Sequence, residues 1–154
     1  MSVMNNMVVR AAVAEDCARV LELMRGLAAF EGYLDGFAVT EADLQKLYVQ
    51  QQRFGIIVAE EDGRIGGILV YFFQPFTFDL TPWLIVKELF VDSAFRGHGL
   101  GEALMLEARR VCKAAGGSKM KWEVLTENLP AMKFYKKLGA VCSEDWRTMN
   151  MAVG

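Results

Sequence analysis

Histidine occurs once, at position 98, and cysteine three times, at positions 17, 112 and 142, with no Cys-x-x-Cys spacing. So few imidazoles and thiolates cannot be assembled into a metal cluster, so no metal is expected, and the three cysteines read as reduced and structural. Clustered positive charge is missing as well. Seventeen Lys and Arg stand against nineteen Asp and Glu, a formal net charge of −2, and a phosphate backbone needs a basic face, so nucleic acid is not an expected partner. No apolar run approaches the length of a membrane span, and Met1 to Arg10 lacks the charged start and apolar core of a signal peptide. No membrane partner is therefore expected, the expected compartment is the cytoplasm, and the partner is a small molecule. Repeats, low-complexity tracts and linkers are absent too. What remains is 154 residues, 53% of them hydrophobic, enough for the core of one domain spanning residues 1–154 and too few for a second.

The chain is organised around one stretch. Leu84 to Val91 is a nearly unbroken apolar run interrupted by Lys87-Glu88, and its β-branched and aromatic content predicts a buried strand. From Leu100 the apolar positions become Leu100, Ala103, Leu104, Ala108, Val111, Cys112 and Ala115, a helical stripe that should cap at Gly116-Gly117. Between them lie Gly97, Gly99 and Gly101, whose backbone can bend so that N–H groups converge at the helix's positive end. Such a turn takes a phosphate or pyrophosphate, unless its glycines serve only packing. Gly101 is followed by Glu102-Ala103 and not by Lys-Ser/Thr, which excludes a P-loop. The dinucleotide fingerprint also fails, because Gly-x-Gly-x-x-Gly counted from Gly97 lands on Glu102, and from Gly99 on Leu104.

Arg96-Gly97-His98-Gly99-Leu100-Gly101 resembles the Arg/Gln-x-x-Gly-x-Gly/Ala signature of the GNAT superfamily of N-acetyltransferases. Downstream, Asn128-Leu129-Pro130-Ala131-Met132-Lys133-Phe134-Tyr135-Lys136-Lys137-Leu138-Gly139-Ala140 is similar to that family's Asn-x-x-Ala-x-x-Phe-Tyr-x-x-x-Gly-Ala. Within the superfamily the chain looks most like the diamine (polyamine) and thialysine N-acetyltransferases. That resemblance runs through Arg10-Ala11-Ala12, Glu15-Asp16-Cys17, Leu27-Ala28-Ala29-Phe30-Glu31, Val39-Thr40 and Asp145-Trp146-Arg147. One departure stands out. The diamine group carries an acidic pair ahead of Phe-Val in the central strand, and here the pair is Lys87-Glu88.

The remaining chain fits a single α/β domain. Met7 to Ala12 reads as a strand, and Ala14 to Phe30 as a helix with the stripe Cys17, Val20, Leu21, Met24, Leu27 and Ala28. Its start offers no side-chain cap at Val13-Ala14. Thr40 with Asp43 predicts a capping box opening a second helix to about Gln50. Phe54 to Glu60 and Ile65 to Phe73 form antiparallel strands about a turn at Glu61-Asp62-Gly63-Arg64. Lys119 to Leu125 is expected as a further strand, parallel to the central one by right-handed crossover. Ala131 to Leu138 should be a short helix, and Ala140 to Val153 a hairpin or strand pair. The expected fold is a GNAT-type mixed sheet, antiparallel at its N-terminal strands with a parallel central pair, flanked by helices.

The resemblance implies an acetyl-coenzyme A-dependent N-acetyltransferase. Acetyl transfer to an amine needs a neutral amine and an acid for the departing thiolate, and alkyl amines are mostly protonated at pH 7. The family places a tyrosine where Tyr135 stands, as that acid, and Glu88 is the candidate for the amine proton, directly or through water, with Glu123 second. Coenzyme binding would fall to Leu89, Phe90 and Val91, with backbone pairing to pantetheine as if it were a strand, to Arg96, Gly97, His98, Gly99, Leu100, Gly101 and Glu102 of the loop, and to Asn128, Ala131 and Tyr135. His98 reads as a loop residue and not a catalyst, because that signature position varies in the family. By the same resemblance the acceptor would meet Glu31, Tyr33, Lys87, Glu88, Glu144 and Trp146, the last two across a homodimer interface, with acids for charge and aromatics for cation–π contact. Protein or peptide acetylation and a non-catalytic acyl-coenzyme A-binding module are the alternatives.

Overall fold

The computed structural model describes residues 6–154, so the reading of the first residues as no signal peptide lies, for residues 1–5, outside the described part. The described chain forms two compact units, one running as far as Glu123 and the other Val124–Gly154.

In the first unit five strands lie in the order of the chain: β1 (Met7–Ala11), β2 (Gly55–Glu61), β3 (Arg64–Gln74), β4 (Trp83–Val91) and β5 (Lys119–Lys121). The first four are antiparallel and β5 joins β4 in parallel, as expected from the strand–helix–strand crossover. Asp62 and Gly63, with φ of 51° and 79°, turn β2 into β3; an Asp-Gly pair adopts this doubly left-handed turn at little cost. Helix α1 (Cys17–Glu31) buries Cys17, Val20, Leu23, Met24, Leu27 and Ala28, with Leu23 in the stripe where Leu21 had been expected. Four of these pack with Ile56, Val58, Ile68 and Val70 on one face of the sheet. Helix α3 (Leu100–Ala114) covers the other face with Leu100, Leu104, Met105, Ala108 and Cys112. Each large aliphatic buried this completely contributes about 1.5–3 kcal/mol, so both faces of the sheet are clamped.

The start of α1 is better satisfied than its sequence suggests. Asp16 reaches back to accept the Val13 N–H at 2.7 Å and holds the Arg10 guanidinium through two bonds of 2.7 and 3.1 Å, tying the helix to β1. The expected capping box closes at Thr40 and Asp43, whose side chains each accept the other's N–H. It opens α2 (Glu41–Leu44), which widens into π-type turns over Gln45–Gln50.

Two expectations are corrected. The fifth strand ends at Lys121, four residues short of Leu125, because β5 pairs β4 only at Trp83, Leu84 and Ile85. Residues 140–154 form no strand pair; Val141, Trp146, Met149, Met151 and Val153 stay exposed, and no described residue supplies the ladder partner that a strand needs. In the second unit the one helix is α4 (Leu129–Lys137), two residues earlier than expected, because Asn128 caps it by accepting the Ala131 N–H at 3.2 Å and Pro130 suits the first turn. Among the described residues no helix is long and apolar enough to cross a membrane.

Candidate active site

The centre of the first unit is an irregularity in β4. Val70 of β3 lies opposite Glu88 while Tyr71 lies opposite Val86, so Lys87 is one residue too many. Side chains alternate along a regular strand, which would put Val86 and Glu88 on the same face. The bulge breaks that parity. Glu88 now shares the face of Val70, and Phe90 that of Ile68, both beneath α1, whereas Val86 keeps to the face of Tyr71, beneath α3. A strictly alternating reading of Leu84 to Val91 cannot find this, because register belongs to the partner strand.

Around Glu88 stand the other predicted acceptor residues of this unit. Glu88 is 6% exposed; its Oε1 accepts the Lys87 ammonium at 2.8 Å and its Oε2 has no partner. Glu31, the last residue of α1, has its carboxyl raised above the ordinary range by desolvation and then by the Glu88 charge, opposed by the Tyr33 hydroxyl that donates to it. The Tyr33 phenol is pushed up to about 12 by desolvation of its hydroxyl, then by Glu88 and Glu31. Two carboxylates, a phenol and one ammonium thus share a site with more acid than it neutralises. Such a site attracts a cation.

Beyond Ile85 the second edge of β4 has no strand partner among the described residues, since β5 stops at Lys121. That leaves Val86 to Val91, including Leu89, Phe90 and Val91, without a strand on the side where an extended ligand would pair, with the Val91 carbonyl taken by Arg96. At the end of β4 the Asp92 N–H is held by the Gly66 carbonyl at 2.8 Å, and Asp92 takes Arg19 of α1 at 3.0 Å. Phe95 then buries itself against Gly66, where any side chain would meet its ring. Arg96 folds back, Nε donating to the Val91 carbonyl at 3.2 Å with the guanidinium 5.9 Å from the Phe90 ring.

Gly97 and Gly99 follow with φ of 79° and 87°, and His98 lies between them. Ala103 is the first residue to donate to this turn, to the Gly99 carbonyl at 3.1 Å; the N–H groups of Gly97 to Glu102 meet no backbone acceptor among the described residues. Leu100 is buried and anchors the helix start. Unsatisfied donors at the head of a fifteen-residue helix fit a diphosphate, and Gly97 has open space where a Cβ would sit. Glu102, a carboxylate in the same turn, suits the helix dipole but not an anion, so only its N–H would serve.

Of the remaining predicted residues, Glu123 lies beyond β5 in irregular chain. In the second unit, Asn128 spends its side-chain oxygen on the α4 cap and Ala131 supplies the capped N–H. Tyr135 is half-buried on α4 with its ring 5.2 Å from that of Phe134. Glu144 and Trp146 are exposed in irregular chain. Sequence reasoning missed a partner for His98: its Nδ1 lies 2.9 and 3.0 Å from the two oxygens of Glu61, a buried carboxylate at the end of β2. Nothing local signals a contact across 37 residues. Among the described residues no three His, Cys, Asp or Glu are grouped to hold a metal.

Residues 22–140 match the acetyltransferase (GNAT) family. The chain is 28% identical over 140 residues to the thialysine N-epsilon-acetyltransferase of Bos taurus, covering 86% of this chain and 82% of that protein. It is 26% identical over 140 residues to the human spermidine/spermine N(1)-acetyltransferase-like protein 1, covering 86% of this chain but 20% of that much longer one. In fold it superposes on an acetyltransferase of Trypanosoma brucei with a TM-score of 0.75 at 24% identity, over 96% of this chain and all of the other. An aminoglycoside acetyltransferase from a soil metagenome gives a TM-score of 0.81 at 16% identity, over 96% and 97% of the two chains. A glycine turn at the head of a long helix, a bulged strand with one open edge, and these likenesses lead to one assignment: the chain belongs to the GNAT acetyltransferase family and is an acetyl-coenzyme A-dependent N-acetyltransferase.

Proposed function

We propose that the protein acetylates a primary amine of a small molecule of the polyamine or lysine/thialysine type by direct attack, with Tyr135 as general acid. The observation that carries this reading is Glu88, a nearly buried carboxylate with one oxygen unpartnered, turned by the bulge toward Glu31 and Tyr33. Burying an unsatisfied carboxylate costs stability, and a cationic substrate offsets that cost on binding. The relatives from Bos taurus and human, named for acetylating thialysine and spermidine/spermine, support an amine acceptor.

In the mechanism, Glu88 and Glu31 first draw the ammonium out of solvent. Glu88 then takes one proton, directly or through a water, so that the nitrogen lone pair is free to attack the thioester carbonyl. The C–N bond forms and the C–S bond breaks; Tyr135 gives its phenolic proton to the departing sulfur, and the remaining amine proton leaves to solvent. Gly97 to Glu102 hold the diphosphate through their N–H groups, and the open edge of β4 at Leu89 and Val91 aligns the pantetheine arm. Lys87 occupies one oxygen of Glu88, which leaves less negative charge for a second cation than a paired-acid site would have. A homodimer bringing Glu144 and Trp146 to the acceptor of the partner belongs to the same reading.

The test is an amine panel, with spermidine, lysine and thialysine among the acceptors, read by free-thiol release from acetyl-coenzyme A. Tyr135→Phe should reduce kcat by roughly a hundredfold while leaving coenzyme affinity nearly unchanged. An unchanged rate with an efficient acceptor would return Tyr135 to a packing role beside Phe134.

A further inference from the structure

We propose that Glu61 is a positioning residue for the loop Gly97–Gly101 and acts through His98; the inference rests on the reading of that loop as the coenzyme's diphosphate cradle. Seen from β2, Glu61 has a side chain only 9% exposed, and both its oxygens face the same imidazole nitrogen, at 2.9 and 3.0 Å. No other side-chain donor reaches it among the described residues. A carboxylate taken out of water with a single donor holds that donor firmly, since losing it leaves a buried charge without compensation.

Seen from the loop, the tie is needed. Gly97 has nothing within 4 Å of the position of a Cβ, and Gly99 has only the Met7 methyl at 3.9 Å. Both are left-handed, so no side chain packs at either position, and between buried Phe95 and buried Leu100 the backbone is free to take other conformations. Two side chains restrain it. Arg96 fastens the entry by its bond to the Val91 carbonyl, and His98 fastens the apex between the two glycines. An anion cradle binds well only if its N–H groups already converge before the ligand arrives. Facing two carboxylate oxygens, Nδ1 carries the hydrogen, which leaves Nε2 as the nitrogen turned from Glu61. A carboxylate has the wrong sign to touch a phosphate, so Glu61 can favour diphosphate binding only by what it does to His98.

The test is calorimetric binding of coenzyme A and of pantetheine, which lacks every phosphate, to the wild type, Glu61→Gln, His98→Ala, the double variant and Gly101→Val. Glu61→Gln should weaken coenzyme A roughly tenfold, as for a lost hydrogen bond to a charged group, and leave pantetheine unchanged. The double variant should bind no more weakly than His98→Ala, because Glu61 has no path to the ligand except that imidazole. His98 is partly exposed on a loop, so His98→Ala carries the test if Glu61→Gln does not fold. Coenzyme A affinity unchanged in either single variant, equal losses for both ligands, or losses that multiply in the double variant would each overturn the proposal. If the wild type binds both ligands equally and Gly101→Val alters neither, the loop is not the cradle at all, and that result separates failure of the underlying reading from failure of the brace.

Discussion

Lys87→Glu restores the paired acids of the diamine pattern at a position whose surroundings are now defined. In the wild type the Lys87 ammonium sits 2.8 Å from Glu88 and its side chain is 59% exposed. A substrate's second cation held about 6 Å away would feel this charge as ~0.7 kcal/mol in bulk water and ~2.8 kcal/mol at an effective dielectric of 20. With more than half the side chain in solvent, the lower part of that range applies, about 1 kcal/mol. Reversing the charge doubles the effect to about 2 kcal/mol, or roughly thirtyfold in the ratio of kcat/KM for spermidine over an acceptor with one amine. Lys87→Gln should give about half of that energy. The substitution also removes a donor, the ammonium 2.8 Å from a buried carboxylate, at a cost on the order of 1–3 kcal/mol of stability, so the assays belong at a temperature where each variant is shown to be folded. Steady-state thiol release over a matched pair, spermidine and a lysine-like amine, measures the ratio. If both variants keep the wild-type ratio, Lys87 points away from the acceptor and the bulge carries no specificity.

Asp16→Asn should destabilise the protein by about 2–4 kcal/mol in denaturant unfolding, because it removes the charge that pairs with Arg10 and turns one of the two acceptor oxygens into an amide donor facing the guanidinium. Arg10 holds the Asp16 carboxyl below its ordinary value of 3.8, so this stability is present above that pH and lost as the pH falls through the lowered value. The variant should therefore lose less stability than the wild type on acidification below pH 4, and parallel pH profiles would refute the assignment. Gly66→Ala would place a methyl 2.2 Å from the Phe95 ring and should cost about 1–3 kcal/mol, read as a lower denaturation midpoint, with weaker coenzyme binding because Phe95 leads directly into the glycine loop. A midpoint unchanged from the wild type would show that the ring moves aside freely.

What the sequence disclosed was local. The Asp62-Gly63 turn, the Thr40–Asp43 box and the strand–glycine–helix passage around Gly97 to Gly101 each depend on residues within a few positions of one another, and each stands in the fold as expected. Asp16 was legible too, since an acid three residues after Val13 is half of a capping box, but Val13 offers no oxygen to complete it and the pattern passed for an uncapped start. Segment 140–153, expected as a hairpin or strand pair, forms neither, because a strand needs a neighbour to supply hydrogen bonds and no neighbour is encoded in the segment itself. The Glu61–His98 contact had no signal at all. It pairs a turn-flanking acid with a loop imidazole that the sequence brings together only through the folded sheet.

The candidate site itself falls between these cases. Its residues could be named from the sequence, and the device that assembles them could not. Because Lys87 is taken up as an extra residue, Glu88 stays opposite Val70 on the face of α1, where Glu31 ends the helix, and the same stretch of β4 is where β5 no longer follows. A bulge increases local twist, and a more twisted strand is harder for a straight neighbour to accompany. The acid proposed to receive the amine and the edge proposed to receive the pantetheine arm then lie together at one bulge. Removing it, by deleting Lys87, would make Val86 and Glu88 consecutive residues of a regular ladder opposite Tyr71 and Val70, so Glu88 would keep the face of α1 while the extra twist of the bulge and the ammonium beside the carboxylate are both lost. Substituting Lys87 changes only charge. Comparing the deletion with Lys87→Gln therefore separates the geometry of the bulge from the electrostatics of its side chain, since both lose the ammonium and only the deletion loses the extra residue: the deletion should acetylate amines more slowly than Lys87→Gln, and equal rates in steady-state thiol release would refute a role for the bulge itself.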